Sequence, residues 1–258
     1  MNNVKETKRF TVTVKTLGPL HVGGPDDPLG SADDNPVAMI GKTACIPGPT
    51  LKGALRAEIE RYLISLNAPE LRPCLTTAQP SEAEKALTDG DRVLFRKKPC
   101  ALKAGSGYSE QEPICPACYL LGAQGLVGFV SVPFLMAPET VKPGVLYASR
   151  LDRVTGTVVG GNRSYQVIPP DVPFSGIMDV LIEDKVTGWT FGRKRPIRTR
   201  EGDSLDVDAW IDCANRLPTS DAVSLLDELV LNRLKSINVI GGYRSKGFGA
   251  VEVEVKPV

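Results

Sequence analysis

Two stretches that alternate apolar and polar side chains, one near each end of the chain, constrain the fold more than any other feature. They are RFTVTVKTL (residues 9–17) and AVEVEV (residues 250–255). A period of two is typical of a strand that buries one face and exposes the other. We therefore predict that both ends of the chain close around one sheet. The apolar members of the two patterns are Phe10, Val12, Val14, Val251, Val253 and Val255.

Two further segments carry apolar residues at helical spacing. The first follows Pro49, which with Thr50 suits the first turn of a helix, and the second spans residues 221–236. Their predicted inward residues are Leu51, Leu55, Ile59 and Leu63 in the first helix and Leu226, Leu229 and Val230 in the second. The chain thus opens with strand, loop and helix and closes with helix, glycine loop and strand. This order predicts an α+β fold with a ferredoxin-like (RRM-like) core.

The middle of the chain is richer in proline and glycine and breaks this periodicity. We interpret residues 1–258 as one domain, with insertions at about 70–118 and about 147–215. Within this middle part, residues 113–138 carry no charge and are long enough to span a bilayer. Three glycines and Pro133 would weaken a helix there, so a buried strand is the better prediction. The N-terminal decapeptide lacks the apolar core of a secretory signal, and we expect a cytoplasmic protein.

The overall charge is nearly balanced, because 31 lysines and arginines face 30 aspartates and glutamates. The molecule has no net field that would attract a polyanion from a distance, so any nucleic-acid binding must use local patches. The single histidine, His21, excludes a ribonuclease site built on two histidines. It also leaves any Ser/His/Asp triad dependent on one residue.

One local patch is the late segment GGYRSKGFG (residues 241–249), where Arg244 and Lys246 flank the hydroxyl of Ser245. Exposed amides and fixed cations suit a phosphate, but a glycine loop before a strand is also an ordinary turn. The segment lacks the GxxxxGK[ST] pattern, so it does not indicate a nucleoside triphosphatase. Both interpretations, phosphate site and turn, stay open on the residues alone.

Other basic residues offer further contacts. Lys52 and Arg56 lie four apart near the start of the first helix, as either a solvated face or a binding face. The run GRKRPIRTR (residues 192–200) is predicted to be a mobile basic hairpin that would offer a concentrated electrostatic contact. Isolated basic positions in the middle of the chain are Arg150, Arg153 and Arg163.

Four of the six cysteines fall in the middle of the chain. Cys115 and Cys118 have the C-x2-C spacing of one half of a tetrahedral zinc site, and Cys74 and Cys100 would supply the other half. Structural zinc is the preferred interpretation, and unligated thiols and a redox pair are the alternatives. Cys45 and Cys213 stand alone and are predicted to be small core residues.

Six motifs follow one another along the chain. They are GPLHVGG (18–24), DDNP (33–36), IPGPTLKGALR (46–56), CYLLGAQG (118–125), RLDRVTG (150–156) and GGYRSKGFG (241–249). Taken in this order, they resemble the RAMP superfamily of CRISPR-associated proteins, and IPGPTLKGALR and the late glycine loop are the most specific parts. The resemblance is strongest to the backbone subunit of type III effector complexes, which polymerises along the guide RNA and cuts bound target RNA.

This resemblance implies roles for individual residues. Asp34 of DDNP would be the cleavage residue, with Asp33 as runner-up and Asp26 and Asp27 as additional acids. The motif RLDRVTG would form the base of a thumb hairpin that wedges into the guide and target duplex. Residues that would contact RNA are His21, Lys52, Arg56, Arg150, Arg153, Thr155, Arg163, Gly241, Gly242, Arg244, Ser245 and Lys246. Implied partners are guide RNA, target RNA, other RAMP subunits and copies of this chain, with no membrane.

Cleavage in such subunits proceeds by attack of a ribose 2′-hydroxyl on the adjacent phosphate, which needs an in-line geometry that stacked RNA does not provide. Asp34 would hold Mg²⁺ or Mn²⁺ at the phosphate, because an aspartate with a pKa of about 3.9 is a poor base at neutral pH. Without the resemblance, Asp34 would be interpreted as part of an Asp-Asn-Pro turn. Two rival functions are a non-catalytic subunit that coats the guide RNA and an endonuclease that processes precursor guide RNA.

Overall fold

A computed structural model describes residues 4–24, 36–74, 99–102, 113–149, 151–158, 163–198, 202–219 and 224–258. The strands are β1 (Lys5–Thr16), β2 (Met39–Ile40), β3 (Thr43–Ile46), β4 (Val130–Ser131), β5 (Leu135–Met136), β6 (Gly144–Ala148), β7 (Arg163–Val167), β8 (Pro173–Asp184), β9 (Trp189–Thr190), β10 (Ile197–Arg198), β11 (Ser204–Leu205) and β12 (Val251–Pro257). The helices are α1 (Gly48–Ser65), α2 (Pro116–Leu121) and α3 (Asn232–Lys235), which continues a π-helical turn (Asp227–Leu231). Short 3₁₀ helices span Pro69–Leu71, Ala209–Arg216 and Arg244–Lys246.

One large antiparallel sheet organises the described residues. Its strand order is β12-β1-β8-β5-β3-β2, and β4 and β9 also pair with β8. The long central strand β1 pairs with β12 on one side and β8 on the other, so that Val14 lies between Val253 and Phe174. The two ends of the chain are therefore neighbours in one sheet, as the two alternating patterns predicted.

One face of this sheet is covered by the helices. Phe10, Val12 and Val14 of β1 are buried, and so are Val251 and Val253 of β12. The helix α1 packs against α3 and its π-helical turn, and α3 packs on β12. All of the predicted inward residues of the two helices are buried, which confirms an α+β fold with a large antiparallel sheet. They are Leu51, Leu55, Ile59, Leu63, Leu226, Leu229 and Val230.

The uncharged segment 113–138 contributes to the core in several short pieces. It begins with α2, turns at Gly122 and enters the sheet through β4 and β5. Val130 of β4 is buried against β8, so the predicted buried strand is present, but it is only two residues long, and Val127 before it is exposed. Within the residues that the structure describes, no helix is both long enough and apolar enough to cross a membrane.

The basic run 192–200 differs from its prediction. Ile197 and Arg198 do form a small hairpin with Ser204 and Leu205. However, Arg195 is not a surface cation, because its guanidinium is fully buried and bonds the buried carboxylate of Asp208. The prediction of a concentrated basic contact is therefore wrong for Arg195.

Lys194, the neighbour of Arg195 in this run, also forms salt bridges with carboxylates. The ammonium of Lys194 contacts Asp206 at 2.8 Å and Asp212 at 2.5 Å. Sequence composition could not reveal these acids as partners, since they lie more than ten residues further along the chain. The run serves to attach the segment around Ala209–Arg216 to the body of the protein.

Candidate functional site

The glycine loop 241–249 lies against the segment that follows β1. The carbonyl oxygen of His21 accepts the backbone N–H of Gly242 at 2.9 Å, and the carbonyl oxygen of Pro19 accepts that of Gly249 at 2.9 Å. Gly241 has a φ of +90°, and a Cβ there would lie 2.3 Å from the His21 carbonyl oxygen. Only glycine fits this approach, so the loop is held rigidly beside His21.

The cations of the loop sit on its outer surface. Arg244, Ser245 and Lys246 form an exposed 3₁₀ turn, and the guanidinium of Arg244 folds back to the carbonyl of Gly241 at 3.1 Å. These residues follow Tyr243, which has a left-handed φ of 55°. A left-handed non-glycine residue is uncommon and is found where the surrounding structure holds it in place. The loop thus presents two cations and a hydroxyl together.

Aromatic rings fix the position of one of these cations. The Lys246 ammonium lies 4.6 Å from the ring centre of Tyr165 and 4.9 Å from that of Tyr243, and it donates to the Tyr165 hydroxyl at 2.7 Å. Tyr243 also contacts His21, with ring centres 4.9 Å apart, and Phe248 at 5.9 Å. Cation–π contacts of this kind hold a lysine while leaving it charged.

His21 connects the loop to the segment that carries the acidic residues. It is buried, and its Nδ1 lies 2.8 Å from the carbonyl oxygen of Gln166. The side chain of Gln166 accepts the backbone N–H of Val37 at 3.1 Å, and Gly24 donates to the carbonyl oxygen of Pro36 at 3.0 Å. The two residues that flank segment 25–35 are therefore anchored next to His21.

The predicted catalytic acids fall within that segment. Asp26, Asp27, Asp33 and Asp34 all lie outside the described residues. Their predicted roles stay predictions, and the described contacts concern only Gly24 and Pro36 on either side of the segment. Arg150 and the side chain of Arg163 are likewise outside the described part of the chain.

The β6–β7 hairpin carries the predicted thumb motif. Beyond Ala148 and Arg163, a bridge between Leu151 and Val158 closes a turn around Arg153 and Thr155. The carboxylate of Asp152 accepts two backbone N–H groups in this turn, which lowers the pKa of Asp152. The turn is exposed, so Arg153 and Thr155 face solvent.

The two helical cations, Lys52 and Arg56, have different surroundings. Lys52 is exposed at the edge of an open depression of about 600 Å³ between the start of α1 and residues 121–134. Arg56 is half-buried, and its Nε donates to Glu60 at 2.7 Å. Its Nη2 lies 3.3 Å from the sulfur of Cys118 and 3.6 Å from that of Cys74. The side chain of Arg56 is thus directed at cysteines.

Those cysteines belong to a compact cluster. The sulfurs of Cys74, Cys100, Cys115 and Cys118 all lie within 4.8 Å of one another, and three of the four residues are buried. A tetrahedral zinc ion with Zn–S bonds of about 2.3 Å has sulfur–sulfur edges of about 3.8 Å. The backbone N–H of Cys115 also donates to the sulfur of Cys100 at 3.2 Å. The donor set and its spacing therefore fit a metal ion.

The thiols of the cluster influence one another electrostatically. Hydrogen bonds from the Cys100 and Cys115 thiols, helped by the nearby Arg56 guanidinium, lower the pKa of Cys118 to about 7. Hydrogen bonds from the same two thiols lower the pKa of Cys74 as well. Burial disfavours the charged form of Arg56 and by itself would lower the pKa of Arg56. The nearby sulfur of Cys118 outweighs this effect and raises the pKa of Arg56 above its usual range. Metal binds the thiolate form of cysteine, so the lowered pKa of Cys74 and of Cys118 favours metal binding.

Sequence reasoning missed three residues that shape the loop surface. They are Tyr165, Gln166 and Tyr243, of which the first two lie on β7. Tyr243 stands inside GGYRSKGFG and its aromatic ring was a usable signal, because aromatic and basic residues interleave in many nucleic-acid surfaces. Tyr165 and Gln166 gave no such signal, since β7 comes to lie beside His21 through tertiary contacts such as the pairing of Leu20 with Ile168.

Comparison with known proteins identifies the family. The model of the RAMP superfamily matches residues 13–252. The chain therefore belongs to the RAMP superfamily, as the six motifs indicated.

Among solved structures, the chain is similar to one in the cryo-EM structure of the type III-B Cmr-beta bound to cognate target RNA. The TM-score is 0.51 at 11% sequence identity, and the alignment covers 98% of this chain and 61% of that chain. At this identity the likeness shows the fold alone. This chain also spans less than two thirds of the length of that relative. A search of curated protein sequences finds no match.

Proposed function

We propose that this protein is a subunit of a type III CRISPR ribonucleoprotein that binds guide RNA along the glycine-loop surface, defined as residues 241–249 with His21 and Tyr165. The observation that carries the proposal is the display of Arg244, Ser245 and Lys246 on an exposed turn whose lysine is held against aromatic rings. Such a surface can hold a ribose-phosphate chain without reading its sequence. Guide RNA, target RNA, other RAMP subunits and copies of itself are its proposed partners, in the cytoplasm.

The order of the helices and strands supports a fold of the RNA-binding (RRM-like) type. The helix α1 follows β1, α3 precedes β12, and β8 lies beside β1 in the sheet. This arrangement supports a ferredoxin-like (RRM-like) core within a single domain. The cysteine-bearing part at about 70–118 and the hairpins between about 147 and 215 are then insertions. The exposed β6–β7 hairpin is the proposed thumb, with Arg153 and Thr155 in its turn.

The RNA surface can be tested at Lys246. Because the Tyr165 and Tyr243 rings hold its ammonium in place, we expect Lys246→Gln to weaken binding of single-stranded RNA several-fold. The slope of log affinity against log salt should fall by about 0.7, the value for one phosphate contact on a single strand. Fluorescence anisotropy at several salt concentrations measures both quantities.

Lys256→Gln is the matched control for this measurement. Lys256 is also an exposed lysine, but it lies on β12 and pairs with Glu254 at 2.7 Å. Its replacement should leave RNA affinity and salt slope unchanged. Equal behaviour of the two variants would refute the assignment of the glycine loop to RNA.

Cleavage of target RNA is the catalytic part of the proposal. Asp34 is proposed to hold Mg²⁺ or Mn²⁺ at the scissile phosphate, so that the ribose 2′-hydroxyl attacks in line. Its support is the family membership together with the anchoring of Gly24 and Pro36 beside His21. The thumb would displace the nucleotide that is cut.

The Asp34→Ala variant, assembled in the complete complex, tests this role. We expect cutting of target RNA to slow by at least about 100-fold, because the metal ion that Asp34 holds would supply several kcal/mol of charge stabilisation in the transition state, while RNA binding is retained. Asp33→Ala should cut at nearly the wild-type rate. Cutting by Asp34→Ala at the wild-type rate would disprove the role of Asp34. A wild-type complex that never cuts would instead define a non-catalytic coat subunit, and trimming of precursor RNA by the isolated chain would define a processing endonuclease.

A structural zinc ion is the last part of the proposal. Cys74, Cys100, Cys115 and Cys118 would hold it, and their sulfur spacing fits the ion. Zinc would cross-link Cys74, which follows Pro69–Leu71, and Cys100 to Cys115 and Cys118 at the start of α2. It would have no part in RNA cleavage.

A further inference from the structure

We infer that Arg56 belongs to the metal centre rather than to the RNA surface, and that it stabilises the bound ion by donating to the sulfurs of Cys74 and Cys118. The inference rests on the structural zinc proposed above. It assigns Arg56 a positioning role and removes it from the residues that contact RNA.

The geometry of the guanidinium supports this role. Nε is occupied by Glu60 at 2.7 Å, and Nη2 points at the two sulfurs at 3.3 and 3.6 Å. Both sulfur distances are within the range of N–H···S hydrogen bonds. Only about 15% of the Arg56 side chain is exposed, against 19% for Glu60. A guanidinium held in this way has little freedom to reach an RNA phosphate.

The charge of the site gives Arg56 its function. Four thiolates around a divalent ion carry a net charge of −2, which is costly in a buried place. A permanently charged guanidinium beside two of the sulfurs offsets part of that charge. The carboxylate of Glu60 lies nearby and accepts a hydrogen bond from Nε of Arg56. This bond orients the guanidinium, as outer partners commonly do around metal ligands.

The positions of the partners explain why an arginine is needed. Cys74 lies 18 residues after Arg56 and Cys118 lies 62 residues after it, so the long side chain ties α1 to both halves of the cluster. Lys52, one turn earlier on the same helix, is exposed instead. A lysine at position 56 would offer a point charge without the planar fork that reaches Glu60 and sulfur together.

Chelator competition on the zinc-loaded full chain tests the inference. We expect Arg56→Gln to weaken zinc affinity by about 10- to 100-fold, the usual effect of losing an outer partner of a metal ligand. Arg56→Lys should fall between this variant and wild type, because it keeps the charge. The double variant Arg56→Gln/Glu60→Gln should be as weak as Arg56→Gln, which excludes an unpaired Glu60 as the cause. Circular dichroism checks that each variant is folded.

Lys52→Gln is the matched control, with the opposite expected pattern. It should keep wild-type zinc affinity and weaken single-stranded RNA binding several-fold, whereas Arg56→Gln should leave RNA affinity unchanged. Wild-type zinc affinity in Arg56→Gln, or a loss of RNA binding without a loss of zinc affinity, would overturn the inference. Absence of zinc from the wild-type protein would overturn both this inference and the structural zinc, but would leave the RNA-binding proposal standing.

Discussion

Replacing Cys118 with serine is expected to lower the melting temperature by roughly 10 °C, corresponding to a loss of about 4 kcal/mol or more in a chain of this size. Cys118 lies at the centre of the cluster, 3.5 Å from the sulfur of Cys74 and in contact with Arg56. Serine is a poor ligand for zinc, so the variant should lose the ion together with the cross-links that it supplies. Thermal unfolding and elemental analysis of the same sample measure both losses.

Two comparisons make this result specific. Cys213→Ser removes a half-buried thiol that lies outside the cluster, on the 3₁₀ helix Ala209–Arg216, and should cost at most about 1 kcal/mol. A strong chelator should bring the wild-type protein down to the melting temperature of Cys118→Ser and leave that variant unchanged. Metal-free wild-type protein with full stability would contradict the structural zinc.

Replacing Asp208 with asparagine is expected to cost about 3–5 kcal/mol, because it leaves the buried Arg195 charge without its counter-ion. Asp208 accepts from Arg195 Nε at 2.7 Å, Nη2 at 2.5 Å and the backbone N–H at 3.0 Å, with both side chains fully buried. An amide would also place an NH₂ donor against a guanidinium donor. The rings of Tyr119 and Trp189, 4.8 and 5.4 Å from the guanidinium carbon, can offset little of this cost.

Urea unfolding of matched variants measures this effect. Asp179→Asn breaks the exposed pair with Arg9 and should cost less than about 1 kcal/mol. The double variant Arg195→Met/Asp208→Leu should recover much of the stability lost in Asp208→Asn, since it removes both charges and fills the space. A cost below about 1 kcal/mol for Asp208→Asn would contradict the view that this ion pair fastens the 192–216 region to the core.

The periodicity of apolar residues predicted the terminal strands and the helices, and also which of their side chains are buried. The alternation in β1 and β12 correctly identified the buried valines except Val255, which is only partly buried, and the four-residue spacing in α1 correctly identified Leu51 and its successors. These patterns succeed because the direction of each Cβ depends only on the local backbone. The family motifs, likewise read in order along the chain, agree with the family match over residues 13–252.

Long cationic side chains were less predictable. Lys52 and Arg56 lie four residues apart on α1, yet the side chain of Lys52 is exposed and that of Arg56 contacts the sulfur of Cys118. Arg195 stands in a basic run of the sequence but is fully buried. The head of such a side chain lies several bonds away from its Cβ, so the partners within reach decide where it points. For both arginines, those partners come from distant parts of the chain.

By itself, the sequence determined the two long strands near its ends, the two helices that pack with them, the faces that these elements bury and the superfamily to which the chain belongs. Only the tertiary structure decided that four widely spaced cysteines converge around Arg56 and that Tyr165 from β7 helps to hold Lys246 in the glycine loop. The physical reason is one of range. Backbone patterns act over a few residues, whereas charge pairing, metal ligation and ring contacts depend on which segments the sheet brings together.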